Sequence, residues 1–190
     1  MSMIRHPQLL DVDGQLRDTA RRARALAERA GPIRWQTRPA SGQWAPSECV
    51  QHLTATIDAF LPVMDAALDA AQPPPSRVMR AFTPGLFARI LIWVVEPPYR
   101  VKTKTGVGFV PSSARPPDLD LMELDDRHVT WRERMVRADG YPLDQLSLTS
   151  PFDARVRYSL FAAFVILPAH ERRHLWQAER ALNAIERAGT

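Results

Sequence analysis

The chain has 190 residues, of which 45% are hydrophobic and 24% are charged. This is the composition of a globular domain, and it excludes a chain that is mainly disordered. The single cysteine excludes a disulfide scaffold, and no apolar run reaches the roughly 20 residues that span a bilayer. Because the amino terminus lacks the apolar segment of a signal peptide, we expect one soluble, cytoplasmic domain over residues 1–190, with no membrane partner.

The charge balance is modest despite a sequence isoelectric point of about 9.8. Lysine and arginine contribute 25 charges and aspartate and glutamate 21, which gives a net charge of +4. Glutamates interrupt the arginine groups near residues 21–24 and 172–173, as on the solvated face of a helix. No zinc-finger spacing and no alternation of aromatic and basic residues accompanies them, so we expect no nucleic-acid partner.

The first half of the chain predicts two long helices. Apolar residues recur every three or four positions from about residue 9 or 13 to residue 30, where Gly31 and Pro32 end the pattern. A second helix is predicted over residues 45–71, with a proline near its start, where proline is favoured. Pro62 lies inside this second helix and is expected to kink or divide it.

The second half predicts two more long helices after a long crossover. Residues 86–94 predict a short apolar helix, and residues 96–117, rich in proline and glycine, predict a long loop. The third main helix is predicted from about residue 118 or 120 to 137, and the fourth from about 153 to 185. Pro168 is a candidate kink in the fourth, and no segment has a convincing alternating strand pattern.

These elements predict an all-α protein, an antiparallel four-helix bundle. The extra short helix and the Pro-rich loop both lie in the crossover between the second and third main helices. A connection of that length can return the chain to its starting end, so we expect helices two and three to run parallel.

Two histidines in the fourth helix form the first chemical signal. His170 and His174 are four residues apart, so their rings stand one above the other on the same face. That face is otherwise apolar or small and is expected to point into the bundle, where two imidazoles need partners. A metal ion would serve both; the alternative is a pair of core histidines that hydrogen-bond to their neighbours.

The same segment, residues 170–174, matches H-E-x-x-H, the signature of zincin proteases. A zincin needs a third ligand downstream and a strand that binds the substrate edge-on, and the sequence offers neither. Glu171 lies about a quarter-turn from His170, so we expect it at the rim of the site or in solvent.

A third histidine, His52, lies two turns into the second helix. If the second and fourth helices are antiparallel, His52 can meet His170 and His174. Three histidines on two packed helices leave coordination positions open, which a catalytic divalent ion requires. On its own, His52 would be interpreted as a half-exposed helix residue.

The residues around these histidines resemble those of DinB-like proteins. PASGQWAPSECVQHL, which contains His52, is similar to the family's first metal-histidine motif, and HERRHLWQ, which starts at His170, is similar to its second. Ala45 departs from the pattern, because the family usually has a capping serine or threonine there. The resemblance implies a DinB/YfiT-like bundle of up-down-down-up topology, a divalent metal held by the three matched histidines, and frequent dimerisation.

The family includes metal-dependent hydrolases and low-molecular-weight-thiol S-transferases. We therefore interpret the chain as an enzyme in which a divalent ion (Zn, Ni, Fe or Mn) activates water or a cellular thiol towards a small-molecule substrate. The alternative is a non-catalytic binding or stress-response module, in which the metal is structural or absent.

Three further residues are candidates for supporting roles. Glu48 is either a base near the metal or a cap that reaches back to the amide of Ala45, and we favour the cap. Cys49 is interpreted as a small core residue rather than a ligand. His128 interrupts an apolar face of the third helix, where it is either a proton shuttle in the metal pocket or, as we favour, a hydrogen-bonded core histidine.

Two further expectations concern the crossover between the second and third main helices. The loop over residues 97–117 should border the open side of the metal site, with Phe109 and Val110 as apolar anchors. The apolar helix before it has large side chains all round, more than a four-helix core can cover from one side. We therefore expect a two-fold homodimer with this helix at or beside the interface.

Overall fold

The fold is described from a computed structural model, which covers residues 3–98, 109–111 and 113–189. Four long helices account for most of this part of the chain. In chain order the elements are α1 (Pro7–Gln36), α2 (Pro46–Asp69), α3 (Gly85–Val95), α4 (Pro117–Ala138), β1 (Ser147–Thr149), β2 (Arg157–Ser159) and α5 (Leu160–Ala188). The predicted all-α bundle is confirmed, with a small hairpin added before α5.

Side-chain pairs between helices give the direction of each helix. Ser47 and Asp65 of α2 bond to Asp120 and Arg134 of α4, in the same order along both helices, so α2 and α4 run parallel. Asp13 and Arg24 of α1 pair with Arg132 and Asp125 of α4 in the opposite order, so α1 runs antiparallel to α4 and to α2. Pairs between α1 and α5 also keep the same order: Gln15–Arg172, Arg22–Glu179 and Arg29–Asn183. The topology is therefore up-down-down-up, and the long crossover returns the chain between α2 and α4.

The helices pack around a core to which all four contribute. α5 packs against both α1 and α2, and α4 packs against the same two helices from the other side. Burying large apolar side chains along these seams provides the main stabilisation. The largest fully buried side chains include Trp35, Phe60, Trp131 and Phe164.

Two predicted helix features differ in the structure. Gly31 has a φ of 64°, the left-handed conformation that glycine adopts easily, and it ends the straight part of α1 as predicted. The helix then resumes for one more turn, because Pro32 is well suited to a first helical position. α2 continues through Pro62 rather than dividing. Pro62 and Asp58, whose carbonyl loses its partner, both lie on the exposed face, where water can satisfy that carbonyl.

The prediction that the last helix begins near residue 153 is wrong, because a short hairpin without a recognisable strand pattern precedes it. β1 and β2 pair antiparallel, with Leu148 opposite Tyr158 and both side chains buried. α5 begins only after this hairpin, where the hydroxyl of Ser159 accepts a hydrogen bond from the amide of Ala162 at 3.1 Å. Strands of three residues are too short to show an alternating pattern.

The apolar surface of α3 is only partly covered. Ala88 is buried, and Leu91 and Ile92 pack against the core. The opposite side carries four large apolar side chains, each more than half exposed: Leu86, Phe87, Ile90 and Trp93. No helix in the described part of the chain is long and apolar enough to cross a membrane.

Self-association through this exposed side of α3 stays a prediction. At micromolar concentration, light scattering should give twice the chain mass of 21.5 kDa. Replacing Ile90 with aspartate should shift the mass to that of a monomer, because a charge would be buried in an apolar interface. Val129→Asp is the matched control, since Val129 is equally exposed but lies on α4. A monomer mass for the wild type would contradict the dimer.

Candidate metal centre

Three histidines meet where α2 packs against α5. His52 comes from α2, and His170 and His174 come from successive turns of α5. The ring centroids of His52 and His174 are 4.4 Å apart, and those of His170 and His174 are 4.5 Å apart. One ring nitrogen from each residue lies within 4.8 Å of one from each of the others. The structure thus brings together all three predicted ligands.

A backbone carbonyl fixes the tautomer of His52. Its Nδ1 lies 2.9 Å from the carbonyl oxygen of Phe109. Because a carbonyl oxygen only accepts hydrogen bonds, Nδ1 must carry the proton, and Nε2 presents its lone pair. This Nε2 lies 3.2 Å from Nε2 of His170. The carbonyl of Phe109 therefore points a metal-binding nitrogen of His52 into the cluster.

All three imidazoles are held in the neutral form. Burial lowers the pKa of His52 below its usual value. Burial, with smaller contributions from the charges of His52 and Arg173, lowers the pKa of His170 to about 3. Burial followed by repulsion from the other two histidines lowers the pKa of His174 as well. Neutral imidazole is the form that binds metals.

The buried polar atoms of the cluster fit a metal ion. Nδ1 of His174 is buried and has no hydrogen-bond partner among the described residues. Such an orphaned nitrogen is costly in a folded protein unless something binds it. Together with the lone pair of His52, it supports a site built for a cation.

The cluster opens into a cleft of about 1070 Å³, which all three histidines line. The ring of Trp44 packs beside it, with its centroid 5.2 Å from that of His52. Phe109 and Val110 form part of the cleft wall. The prediction that the crossover loop borders the open side of the site is confirmed for these two residues, whereas residues 99–108 and 112 lie outside the described part of the chain.

The structure shows Glu48 in the capping position. The buried carboxylate accepts a hydrogen bond from the amide of Ala45 at 2.8 Å and pairs with Arg38. Cys49 is fully buried in the core, where burial raises the pKa of its thiol. The two favoured interpretations, a cap and a core cysteine, are confirmed.

His128 and Glu171 form a separate polar cluster on the other side of α5. Nε2 of His128 lies 2.7 Å from Oε1 of Glu171, whose other oxygen contacts the hydroxyl of Thr19. The prediction that Glu171 lies at the rim or in solvent is wrong, because α1 and α4 cover that side of α5 and bury it completely. His128 is not among the residues that line the cleft, and it has the hydrogen bond expected of a core histidine.

This pair predicts a pH dependence of stability. Burial alone lowers the pKa of His128, but the charge of Glu171 and its hydrogen bond outweigh burial, so the pKa is raised above 6.5. Asp125 raises it slightly further and Arg24 opposes it. A raised folded-state pKa means that protonated His128 stabilises the fold below about pH 6.5, and that this stabilisation is lost as the pH rises through the folded-state value.

Urea unfolding from pH 6 to 9 tests this dependence. The difference in unfolding free energy between the wild type and a His128→Gln variant should fall as the pH rises through this range. Burial lowers the folded-state pKa of the three cluster histidines, so they make both proteins more stable as the pH rises, and their contribution cancels in this difference. Parallel curves for the two proteins would contradict the assignment.

Sequence reasoning missed Asp120, which anchors the end of the bundle near the cluster. Its buried carboxylate accepts hydrogen bonds from Trp35 Nε1 at 2.9 Å, Ser47 Oγ at 2.6 Å and Arg115 Nε at 3.0 Å. These bonds tie the end of α1 and the start of α2 to the start of α4, and so fix the part of α2 that precedes His52. An acidic residue in the first turn of a helix is too common to signal such a role.

The fold and the site together define an up-down-down-up helical bundle with a three-histidine centre in an open cleft. The chain belongs to the DinB superfamily, whose family model matches residues 15–178. The match includes all three histidines, and it confirms the resemblance seen in the sequence. Comparisons with curated proteins and with solved structures found no match.

Proposed function

We propose that this protein is a metal-dependent enzyme that holds one divalent cation with His52, His170 and His174. The observation that carries the proposal is the position of the three rings on the wall of a large, open cleft. A structural metal site is closed by protein ligands, whereas a catalytic site leaves positions for water or substrate. In the described part of the chain, no further histidine, cysteine or carboxylate joins the three. The non-catalytic alternative, with a structural metal, lacks that support.

The protein's own groups prepare this centre before any ligand arrives. The carbonyl of Phe109 orients the ring of His52, and burial keeps the three rings neutral. The ring of Trp44 packs beside that of His52 and helps to hold it in place. A divalent ion bound there supplies Lewis acidity and lowers the pKa of a water molecule or a thiol. Imidazole accepts Zn, Ni, Fe and Mn, so the donor set does not select among them.

The reaction class that we propose is either hydrolysis or thiol transfer to a small electrophile. Both begin with a nucleophile whose proton is acidified, and both can use the same three histidines. Which one occurs depends on whether the cleft accepts a thiol.

The experiment is a turnover screen with protein purified without a nickel column. Samples loaded separately with Zn, Ni, Fe or Mn are incubated with cellular thiols plus electrophiles, and with a panel of esters and amides. We expect turnover that depends on the metal and that is lost in a His52→Ala variant. His6→Gln is the matched control, because His6 caps α1 and is not part of the cluster: its Nδ1 accepts a hydrogen bond from the amide of Gln8, and its Nε2 lies 3.1 Å from the carbonyl oxygen of Arg80. Equal turnover by His52→Ala, or none by any loaded wild type, would contradict the proposal.

A further inference from the structure

The cleft differs chemically on the two sides of the three-histidine centre. Because α2 and α5 are antiparallel, the later part of α2 faces the earlier part of α5. On that side the cleft is lined by Phe60 and Ile166. On the other side it is lined by the later part of α5, which contributes Arg180 and Arg187. The centre therefore lies between an apolar end and a basic end.

Aromatic rings dominate the apolar end. The ring of Phe152 lies edge-on to two others, with centroids 5.5 Å from Phe60 and 4.9 Å from Phe109. Phe152 is still 46% exposed, so part of its ring remains available to a ligand. Tyr158 also lines this end, and burial raises its pKa to about 12, so it stays uncharged. Such a surface favours an aromatic or other flat apolar group.

Arginines define the basic end. Arg180 and Arg187 are both exposed and are seven residues apart, which places them on the same face of α5, about 10 Å apart along its axis. Arg173 lies seven residues before Arg180 on that face. It is buried and donates a hydrogen bond to the carbonyl of Val94 at 3.0 Å, which links α3 to this wall of the cleft.

The described residues that line the cleft include these three arginines and no aspartate or glutamate. Neighbouring arginines are neutralised: Arg172 pairs with Glu96, and Arg22 pairs with Glu179. By contrast, Arg180 has no ion pair within the described part of the chain. Its guanidinium lies over the ring of Trp176, 4.9 Å from the centroid. Stacking uses the face of the guanidinium and leaves its N–H donors available in the plane for an anion.

We propose that the cleft binds an elongated substrate with an aromatic or similarly flat apolar group at one end and an anionic group, carboxylate or phosphate, at the other. The anionic group bonds to Arg180, Arg187 adds positive charge further along α5, and the apolar group packs on Phe152. The reacting atom of the substrate then lies at the histidine centre between them. This inference rests on the proposed function for the role of the centre, but the binding itself needs no metal.

The spacing sets the size of the substrate. Arg180 is six residues beyond His174, about 9 Å along the helix axis. Phe60 is eight residues beyond His52 in the opposite direction, about 12 Å. A substrate with its two ends well separated therefore fits, and a small molecule such as acetate would not reach both.

Calorimetric titration with three probes of one length tests the inference: 10-phenyldecanoate, 10-phenyldecyl phosphate and the neutral 10-phenyldecanamide. The titrations use the full chain both as purified and as the metal-depleted His52→Ala variant. We expect at least one anionic probe to bind more tightly than the amide, in both proteins. The tighter of the two anions identifies the anionic group. Equal affinity of all three probes would overturn the proposal.

Variants of the cleft test which residues bind the anionic end and the apolar end of the probe. Arg180→Gln/Arg187→Gln should weaken the anionic probe about tenfold and leave the amide unchanged, because only charge-assisted hydrogen bonds are lost. Phe152→Ala should weaken the acid and the amide alike. Arg21→Gln/Arg24→Gln is the charge-matched control, since both arginines lie on the exposed face of α1 in surface pairs with Asp18 and Asp125. Wild-type affinity for the anionic probe in the double arginine variant would overturn the proposal.

The binding and turnover experiments distinguish a failure of the anion site from a failure of the proposed function. If the anionic probe binds as expected but no loaded protein turns over any substrate, the proposed function fails and the anion site stands. If loaded protein turns over neutral substrates and the anionic probe shows no preference, the proposed function stands and the anion site fails.

Discussion

Replacing Glu171 with leucine is expected to lower the free energy of unfolding by about 3 to 5 kcal/mol. Glu171 is fully buried between α5, α1 and α4, and its carboxylate holds the imidazole of His128 at 2.7 Å. Removing the carboxylate leaves His128 inside the bundle without its partner, and it also removes the contact of the Thr19 hydroxyl. Such a loss is a large part of the roughly 5 to 15 kcal/mol that stabilises a typical domain. Urea unfolding at pH 6, where His128 is protonated, measures it.

The matched control is the double variant His128→Leu/Glu171→Leu. It removes both members of the pair, so no buried charge is left unpaired, and an apolar pair of similar volume is often neutral for stability. We expect the double variant to regain most of the stability that the single variant loses. A double variant as unstable as the single one would show that the pair is not the source of the effect.

Replacing His52 with alanine is expected to abolish metal retention while the bundle still folds. The change leaves only His170 and His174, and two imidazoles on one helix hold a divalent ion far more weakly than three. Most of the core, including Trp131 and Phe164, lies away from the cluster and does not depend on the ion. Metal content per chain, measured together with far-ultraviolet circular dichroism, checks both parts of the prediction.

His6→Gln serves here too as the control, because it removes a histidine outside the cluster and should keep the metal. A folded His52→Ala variant with the metal content of the wild type would exclude His52 as a ligand.

The helices and the histidine cluster could be predicted because both depend on local periodicity. The four-residue spacing of His170 and His174 fixes their common face whatever surrounds the helix. Gly31 and the long crossover mark where the chain turns, so the antiparallel packing that brings in His52 follows from connection lengths. These signals are contained in short stretches of sequence.

The hairpin and the place of Glu171 could not be predicted for physical reasons. Each strand has only three residues, and its extended conformation depends on the hydrogen bonds to the other strand. The environment of Glu171 depends on Thr19 and His128, which are distant in sequence and are brought together only by the packing of three helices. A polar residue next to a histidine therefore gives no sign, on its own, of whether another helix covers it.

The central claim is that His52, His170 and His174 form one metal site. The most direct measurement is inductively coupled plasma mass spectrometry of the wild-type protein, purified without a nickel column and dialysed after incubation with each of Zn, Ni, Fe and Mn. The structure predicts about one ion per chain for at least one of these metals, as expected for a single three-histidine centre. Less than about a tenth of an ion per chain for all four would contradict it, since a site built of neutral imidazoles should retain a divalent metal.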